Sequence, residues 1–274
     1  MVRVTTATTL LHFAGRAGDH NDRAMQGSPV LARELADRLG VPLAAVGVPR
    51  PALGTGWEVE LASAATDLAA MQAQLDEVMT AGSRPVIALS RCAVALATLP
   101  VVARHRPDAV VIWFDAHADI NTPETSTTGY LGGLALSGPL GWWVSGFGAG
   151  LAPGNSILAG TRDIDPPEQA RIDTGAPLLV APGPAFTERL LAACAGCPVY
   201  VHIDCDVLDP GIVPTDYGVP GGLTLDDLHD ALTALATLEV VGVEVGEFEA
   251  APGDDAATAA AARRIANAVS PLLT

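Results

Sequence analysis

The sequence is poor in charged residues, in cysteine and in long apolar runs, and each shortage excludes a class of protein. Only 17% of its 274 residues are charged and 49% are hydrophobic, which argues against a disordered chain. Its apolar runs are too short to span a bilayer. The opening stretch MVRVTTATTLLHFAGRAG lacks the sustained apolar core of a signal peptide. These features predict a soluble, cytoplasmic, globular protein.

Positive charge is scarce as well. Lysine and arginine together number 15 against 31 aspartates and glutamates, so the formal net charge is −16. This charge repels phosphate backbones and anionic lipids, and we therefore expect neither a nucleic acid nor a membrane as a partner. A cationic small molecule is compatible with it. The oligomeric state stays open.

The cysteines are few, and most of them suit packing. They are Cys92, Cys194, Cys197 and Cys205. The CxxC formed by Cys194 and Cys197 closes an Ala/Leu-rich helical stretch and has no second pair, so a helix end is favoured over a zinc or redox site. Cys205 alternates with two aspartates along a predicted strand and should point to the opposite side, into the core.

Short β-branched runs alternate with Ala/Leu-rich amphipathic stretches along the chain. Eight runs predict strands, at residues 9–15, 43–48, 85–90, 109–115, 156–160, 177–181, 198–204 and 239–245. Such alternation is typical of a parallel sheet covered by helices on both faces. Because no linker or internal repeat interrupts the pattern, we predict a single domain over residues 1–274. Ligands of such sheets bind at the carboxyl ends of the strands.

Acidic residues follow the predicted strands at those ends. Asp115, His117 and Asp119 stand two apart in DAHAD, and Asp204 and Asp206 stand two apart in DCDVLDP. If the chain stays extended, each set points to one face. Carboxylates packed together repel one another and need cations, and Asp with His suits a hard or borderline divalent ion such as Mn²⁺. The alternative is that they cap neighbouring helices.

The motifs DAHADINTP, DCDVLDP and EVGEF resemble those of the ureohydrolase family, which comprises arginases, agmatinases and their relatives. The resemblance implies a three-layer arginase-like α/β fold with a central parallel sheet of about eight strands. It also implies a site for two Mn²⁺ ions. By that match Asp115 and Asp204 bridge the two metals, Asp119 completes the first site, and His117 and Asp206 complete the second.

The same resemblance implies catalytic and substrate-binding roles. Asp119 would also accept a proton from the nucleophile, and Glu247 resembles the glutamate that binds the guanidinium group. The loop NTPETSTTG resembles the arginase stretch that binds the α-carboxylate of the substrate, and TRDIDPPE resembles the segment that holds its α-amino group. The matched positions are Asn121, Ser126 and Thr128 in the first loop, and Asp165 and Glu168 in the second. Without the resemblance, Glu247 would be a solvated glutamate, and the second loop a helix start with two prolines.

Two positions depart from the family pattern. Cys92, in LSRCAVAL, takes the place of a metal-binding histidine, and because a thiolate is softer, the ion near it is expected to be weakly held or absent. Alternatively, Cys92 is a small apolar residue that opens a helix. Gly132 takes the place of the histidine that passes a proton to the leaving amine. The other histidines lie outside the motifs or, like His202, deeper in a strand, where packing is expected.

The two loops match positions that bind an α-amino acid. The substitutions at Cys92 and Gly132 weaken the metal site and remove a proton donor, which favours a substrate less basic than arginine. The closest match is the branch of the family that hydrolyses Nω-hydroxy-L-arginine to L-ornithine and hydroxyurea, found in antibiotic biosynthesis. The alternatives are an arginase, an agmatinase-like hydrolase, a mononuclear zinc deacetylase of the same fold, or an inactive binding homologue. A deacetylase would need a histidine pair before the metal motif, and the sequence has none there. Retention of all five Asp and His ligands argues against an inactive homologue.

Overall fold

A computed structural model describes residues 7–273 of the chain. Residues 1–6, which are the first part of the stretch that lacks the apolar core of a signal peptide, lie outside the described residues, as does Thr274. Within the described part, no helix is long and apolar enough to cross a membrane.

The centre of the structure is one eight-stranded sheet in which every neighbouring pair of strands is parallel. Each predicted strand is confirmed to within two residues at either end. The strands are β1 (Thr8–Phe13), β2 (Leu43–Val46), β3 (Arg84–Ala88), β4 (Val110–Phe114), β5 (Ser156–Ala159), β6 (Leu178–Val180), β7 (Val199–Asp204) and β8 (Val240–Gly246). Their order across the sheet is β2-β1-β3-β8-β7-β4-β5-β6.

Helices cover both faces of the sheet because successive strand residues point to opposite sides. Leu10 and Ile112 belong to one buried apolar cluster, which is shared with α1, α5, α6 and α7. Leu11 and Trp113 belong to a second cluster, shared with α2 and α3. The result is the three-layer α/β architecture predicted from the sequence. The helices are α1 (Arg23–Leu39), α2 (Trp57–Thr80), α3 (Ala95–His105), α4 (Pro166–Ile172), α5 (Phe186–Ala193), α6 (Leu225–Leu235) and α7 (Asp255–Ala268).

Two helices begin earlier than the apolar pattern predicts. The stretch SPVLARELADRLG predicts a helix from Ser28, but α1 begins at Arg23, whose N–H donates to the Asn21 side chain, and it contains Pro29. The stretch ATDLAAMQAQLDEVM predicts a helix from residue 65, but α2 begins at Trp57, and its first turn carries two glutamates. Acidic side chains there complement the positive end of the helix dipole. In both helices the extra turns are stabilised by local polar contacts, which apolar periodicity does not reveal.

The sheet order brings the motif-bearing segments together. The four central strands, β3, β8, β7 and β4, are consecutive neighbours. Because they are parallel, the segments that follow them emerge at one edge of the sheet. These segments are LSRC after β3, EFE after β8, CDVLDP after β7 and DAHAD after β4. Residues far apart in the chain are thereby placed around one cavity.

Candidate metal centre and substrate cavity

The chain does not stay extended after β4, contrary to the expectation. Asp119 has a left-handed backbone conformation with φ of 53°, so the DAHAD segment curls at the sheet edge. Asp115 is fully buried at its start, where its two carboxylate oxygens accept from Trp113 Nε1 at 3.0 Å and from the His117 backbone N–H at 2.6 Å. The side chain is therefore fixed before any ion binds.

The segment after β7 also turns immediately. A 3-10 turn over Cys205–Val207 follows Asp204, whose side chain accepts from the Asp206 backbone N–H at 2.7 Å. Asp206 in turn accepts from the Ala116 backbone N–H at 2.9 Å, which joins this turn to the segment after β4. Cys205 is fully buried in the core, as predicted from its alternation with the two aspartates.

Two groups of potential ligands share Asp115. Within each group all ligand atoms lie within 4.8 Å of one another; the first group is Cys92, Asp115 and Asp204, and the second is Asp115, His117 and Asp206. Nδ1 of His117 lies 3.0 Å from Asp206 and 3.2 Å from Asp115. The predicted bridging role of Asp115 is consistent with its place in both groups. Asp119 lines the same cavity but belongs to neither group, so its role as a ligand stays a prediction.

The electrostatics of these acids favour a bound cation. Burial, with the neighbouring charge of Asp206, raises the pKa of Asp115 to about 7. Burial and neighbouring carboxylates also raise the pKa of Asp119 and Asp204 above the usual range of an aspartate. Carboxyl groups in such surroundings ionise readily only when a positive charge neutralises them. Carboxylate oxygens with an imidazole and a thiol form a donor set that fits a divalent ion.

Cys92 is held between the metal-ligand candidates and a buried histidine. Its Sγ lies 3.0 Å from Asp204 Oδ2 and 3.0 Å from His202 Nε2. The other ring nitrogen of His202 lies 2.7 Å from Glu244, and the ring stacks on Trp113 at 3.6 Å between centroids. His202 is fully buried, as predicted, but it also contacts a candidate ligand. With Nδ1 donating to the Glu244 carboxylate, Nε2 of a neutral imidazole can accept from the Cys92 thiol, whereas only an imidazolium could donate to a thiolate there.

We expect a histidine at position 92 to tighten metal binding only if His202 is shortened, because the two side chains already touch. In the variant Cys92→His/His202→Ser, the more weakly held Mn²⁺ should bind about 10- to 100-fold more tightly, the range over which the ligand environment usually acts. Calorimetric titration of the metal-free protein with Mn²⁺ measures this, with His202→Ser alone as the control. Unchanged affinity and stoichiometry would assign Cys92 to packing.

A cavity of about 330 Å³ opens above the two ligand groups. Such a volume lies at the lower end of the range of small-molecule sites. Every predicted site residue lines it except Asp115, which lies beneath it. The lining members are Cys92, His117, Asp119, Asn121, Ser126, Thr128, Asp165, Glu168, Asp204, Asp206 and Glu247. The metal-ligand candidates and the two substrate loops thus face one space.

The hydroxyl groups of the first loop are arranged as free donors. Ser126 Oγ accepts from the Gly129 backbone N–H at 3.0 Å, and Thr128 Oγ1 accepts from the Tyr130 backbone N–H at 3.2 Å. Each hydroxyl has one proton, and since its oxygen is already an acceptor, that proton is available to a ligand. Asn121 is held by Asp165, to which its Nδ2 donates at 2.9 Å. Hydroxyl donors of this kind suit a carboxylate.

The paired acids of the second loop have a structural role that the sequence interpretation left out. The two side-chain oxygens of Glu168 accept from the backbone N–H groups of Asp165, at 2.9 Å, and Ile120, at 3.0 Å. The first of these bonds belongs to the N-terminal capping of α4. Helix capping therefore explains the spacing of the two acids, whereas the sequence analysis attributed it to the ligand. The Asp165 carboxylate is engaged as well, by Asn121 Nδ2 and by the backbone N–H of Glu168 in the same capping box.

An aromatic cluster fills the space beside Gly132. A Cβ placed on Gly132 would lie 2.9 Å from Tyr130 Cζ and closer still to Cε1. The Tyr130 ring packs against His20 and Tyr217, with centroids 4.7 Å and 5.0 Å away, and His20 Nδ1 is hydrogen-bonded to the Tyr217 hydroxyl. We call His20, Tyr130 and Tyr217 the aromatic wall. All three line the cavity, and the sequence analysis had placed His20 outside the site.

Sequence reasoning missed these residues because they come from three loops. His20 follows β1, and Tyr217 lies well beyond the CDVLDP motif. Only Tyr130 gave a signal, since it stands two residues before Gly132, where a side chain is missing. The alternation of β7 did place His202 on the Asp204 side, but it did not reveal the contact with Cys92.

Comparison with known proteins identifies the relatives of this chain. A sequence model described as "Arginase family" matches residues 54–270. Nω-hydroxy-L-arginine amidinohydrolase from Streptomyces lavendulae is 40% identical over 262 residues, which cover 96% of this chain and 96% of that protein. Arginase from Bacillus caldovelox is 30% identical over 188 residues, 62% of each chain.

Solved structures agree with these matches at the level of the fold. The crystal structure of arginase from Bacillus subtilis superposes with a TM-score of 0.83 at 23% identity and covers 98% of both chains. Proclavaminate amidino hydrolase from Streptomyces clavuligerus superposes with a TM-score of 0.70 at 20% identity, over 98% of this chain and 92% of that one. The predicted arginase-like fold is therefore confirmed.

Proposed function

Because this chain belongs to the arginase family, whose members are metal-dependent hydrolases of guanidino C–N bonds, we propose that it cleaves Nω-hydroxy-L-arginine to L-ornithine and hydroxyurea. The observation that carries the proposal is the shared cavity. Metal-ligand candidates form its floor, hydroxyl donors suited to an α-carboxylate form one side, and the aromatic wall stands where an acid catalyst is expected. The relationship to the Streptomyces lavendulae enzyme supports the same substrate.

The metal centre is proposed to hold two Mn²⁺ ions. Cys92, Asp119, Asp115 and Asp204 would hold the first, and Asp115, Asp204, His117 and Asp206 the second, with Asp115 and Asp204 shared. When bound, such a pair lowers the pKa of a shared water from roughly 15.7 towards about 7 and so supplies hydroxide at neutral pH. The crowding of buried acids supports this assignment, because it leaves them in need of cationic charge.

The chain's own residues would orient the substrate and move protons. Asp119, which lines the cavity and is only 8% exposed, is placed to hold the proton left on the nucleophile. Ser126 and Thr128 would donate to the substrate α-carboxylate, with Asn121 beside them, and Asp165 and Glu168 would face its α-amino group. Glu247 would lie beside the guanidino carbon. This arrangement favours an α-amino acid over a decarboxylated amine.

Hydroxyarginine should react faster than arginine because Gly132 has no side chain that could pass a proton to the leaving amine. An alkylguanidine releases a poor leaving amine, which needs a proton, whereas the hydroxyl of hydroxyarginine can ligate metal or relay that proton itself. As its biological setting we propose antibiotic biosynthesis in the cytoplasm, which the resemblance of the motifs implies.

We expect turnover in the order hydroxyarginine, arginine, agmatine. Arginine should be hydrolysed about 10²- to 10⁴-fold more slowly than hydroxyarginine, the usual contribution of a positioned general acid. Agmatine should be hydrolysed roughly 5- to 150-fold more slowly than arginine. It lacks the α-carboxylate, so the loop hydroxyls stay unpaired at a cost of about 1 to 3 kcal/mol. The assay follows release of ornithine, or of putrescine from agmatine, by Mn²⁺-loaded protein at equal substrate concentrations. Faster turnover of arginine would make the protein an arginase, and faster turnover of agmatine would refute the carboxylate-binding loop.

A further inference from the structure

A buried arginine stands directly behind the predicted guanidinium-binding glutamate. Arg91 is 1% exposed, and its guanidinium forms three ion pairs: Nε with Asp19 at 2.9 Å, Nη1 with Glu247 at 2.5 Å and Nη2 with Glu249 at 2.9 Å. All three carboxylates are buried as well. Glu247 lines the cavity, and Arg91 lies behind it.

Both carboxylate oxygens of Glu247 already have donors. Oε2 receives Nη1 of Arg91, and Oε1 accepts from the Cys92 backbone N–H at 2.9 Å. Glu247 adopts a left-handed backbone conformation with φ of 60°, which turns its side chain towards these donors. A substrate guanidinium would therefore meet a carboxylate that shares one internal guanidinium with Asp19 and Glu249, so part of the charge of Glu247 is already offset.

The ion pairs keep Arg91 charged and in place. Arginine stays protonated in proteins, and three buried carboxylates surround this guanidinium. A planar guanidinium bonded through three nitrogens has little freedom to turn aside. A cationic ligand that approaches Glu247 thus comes close to a second, fixed positive charge in a desolvated site.

We propose that Arg91 is a specificity-determining residue that masks Glu247 and biases the cavity against fully cationic guanidinium groups. Neutral or weakly basic groups of the same shape, such as a hydroxyguanidine, escape the repulsion and still accept or donate hydrogen bonds at Glu247. The inference rests on the proposed function in assigning the guanidino group to Glu247. It explains a preference for hydroxyarginine independently of the missing acid at Gly132.

The competing explanation is that Arg91 only ties together the segments after β1, β3 and β8. A purely structural role would weaken all ligands alike, whereas masking acts on charge alone. L-Arginine and L-citrulline separate the two explanations, because citrulline is a neutral analogue of almost the same shape. Both carry the α-amino and α-carboxylate groups that the loops would bind.

The test is calorimetric titration of Mn²⁺-loaded protein with each compound. Arg91→Met should raise the affinity for arginine relative to citrulline by at least about tenfold, because a unit charge a few ångströms from the ligand is removed. Arg91→Met alone leaves three buried carboxylates without their shared cation and could misfold. The double variant Asp19→Asn/Arg91→Met also removes one of these anions and is therefore tested beside it. Arg23→Met is the matched control: Arg23 pairs with Glu249 at 2.6 Å, and its side chain is 39% exposed. It should leave the ratio within about threefold, as for a partly exposed ion pair.

Equal changes for arginine and citrulline in the Arg91 variants would overturn the proposal and leave Arg91 a structural residue. If neither variant folds, the unsubstituted protein decides, since arginine binding more than about tenfold more tightly than citrulline is incompatible with a masked Glu247. The test compares binding affinities and not rates of hydrolysis, so failure of the hydroxyarginine assay leaves it intact. Conversely, an unmasked Glu247 does not contradict hydrolysis of hydroxyarginine.

Discussion

Replacing Asp115 by alanine is expected to reduce hydrolysis by more than about 100-fold. Loss of a residue that merely supports a metal ligand usually costs about 10- to 100-fold in affinity or activity. Asp115 is the residue that belongs to both ligand groups within the described chain, so its removal deprives both ions of a donor at once. Asp204→Ala should act in the same direction.

The measurement is turnover of hydroxyarginine together with elemental analysis for manganese. Asp108→Ala is the control, since Asp108 neither lines the cavity nor belongs to a ligand group, and its side chain is 54% exposed. We expect it to retain its metal. Circular dichroism establishes that each variant is folded. An Asp115→Ala protein that keeps both its manganese and its activity would refute the metal centre described above.

Arginine hydrolysis should be gained by Tyr130→Ala/Gly132→His but not by Gly132→His alone. A histidine at position 132 needs the space held by the Tyr130 ring, which a Cβ there would already overlap. Removing the ring makes room for an imidazole facing the cavity. A positioned general acid contributes about 10²- to 10⁴-fold, so even imperfect placement should raise arginine turnover well above that of the parent protein.

The two single variants are the controls. Tyr130→Ala enlarges the cavity without supplying a proton donor, and Gly132→His supplies the donor without the space. Initial rates of ornithine release from arginine distinguish the three proteins. If Gly132→His alone matches the double variant, the aromatic wall is not what excludes a histidine from this position.

The sequence places Asp115 and Asp204 at the carboxyl edge of the sheet because strand periodicity locates the ends of β4 and β7 and parallel strands end at one edge. That β4 and β7 are direct neighbours in the sheet follows from its strand order, which periodicity does not encode. Hydrogen bonding within the loops was harder to anticipate. The left-handed turn at Asp119 and the capping bonds of Glu168 follow from local backbone geometry, which side-chain alternation does not encode.

The contacts of Arg91 and Tyr130 could not be predicted for a different reason. Arg91 meets Asp19, Glu247 and Glu249 through segments that follow three separate strands. The Tyr130 ring packs on His20, from the same segment as Asp19, and on Tyr217, from the loop after β7. Such contacts are set by packing between loops, for which the sequence has no periodic signal. They are also the contacts on which the proposed preference for hydroxyarginine depends.

The position of β8 has a consequence for how the protein folds during synthesis. It is the last of the eight strands in the chain, yet it lies between β3 and β7 and is what joins the two halves of the sheet. Until it emerges from the ribosome, the nascent chain has two separate parallel sheets with open edges. Pairings between such distant segments form slowly and leave strand edges exposed meanwhile. We therefore expect Cys92, which follows β3, and Asp204, which ends β7, to come together only when translation is nearly complete, so that metal is acquired late.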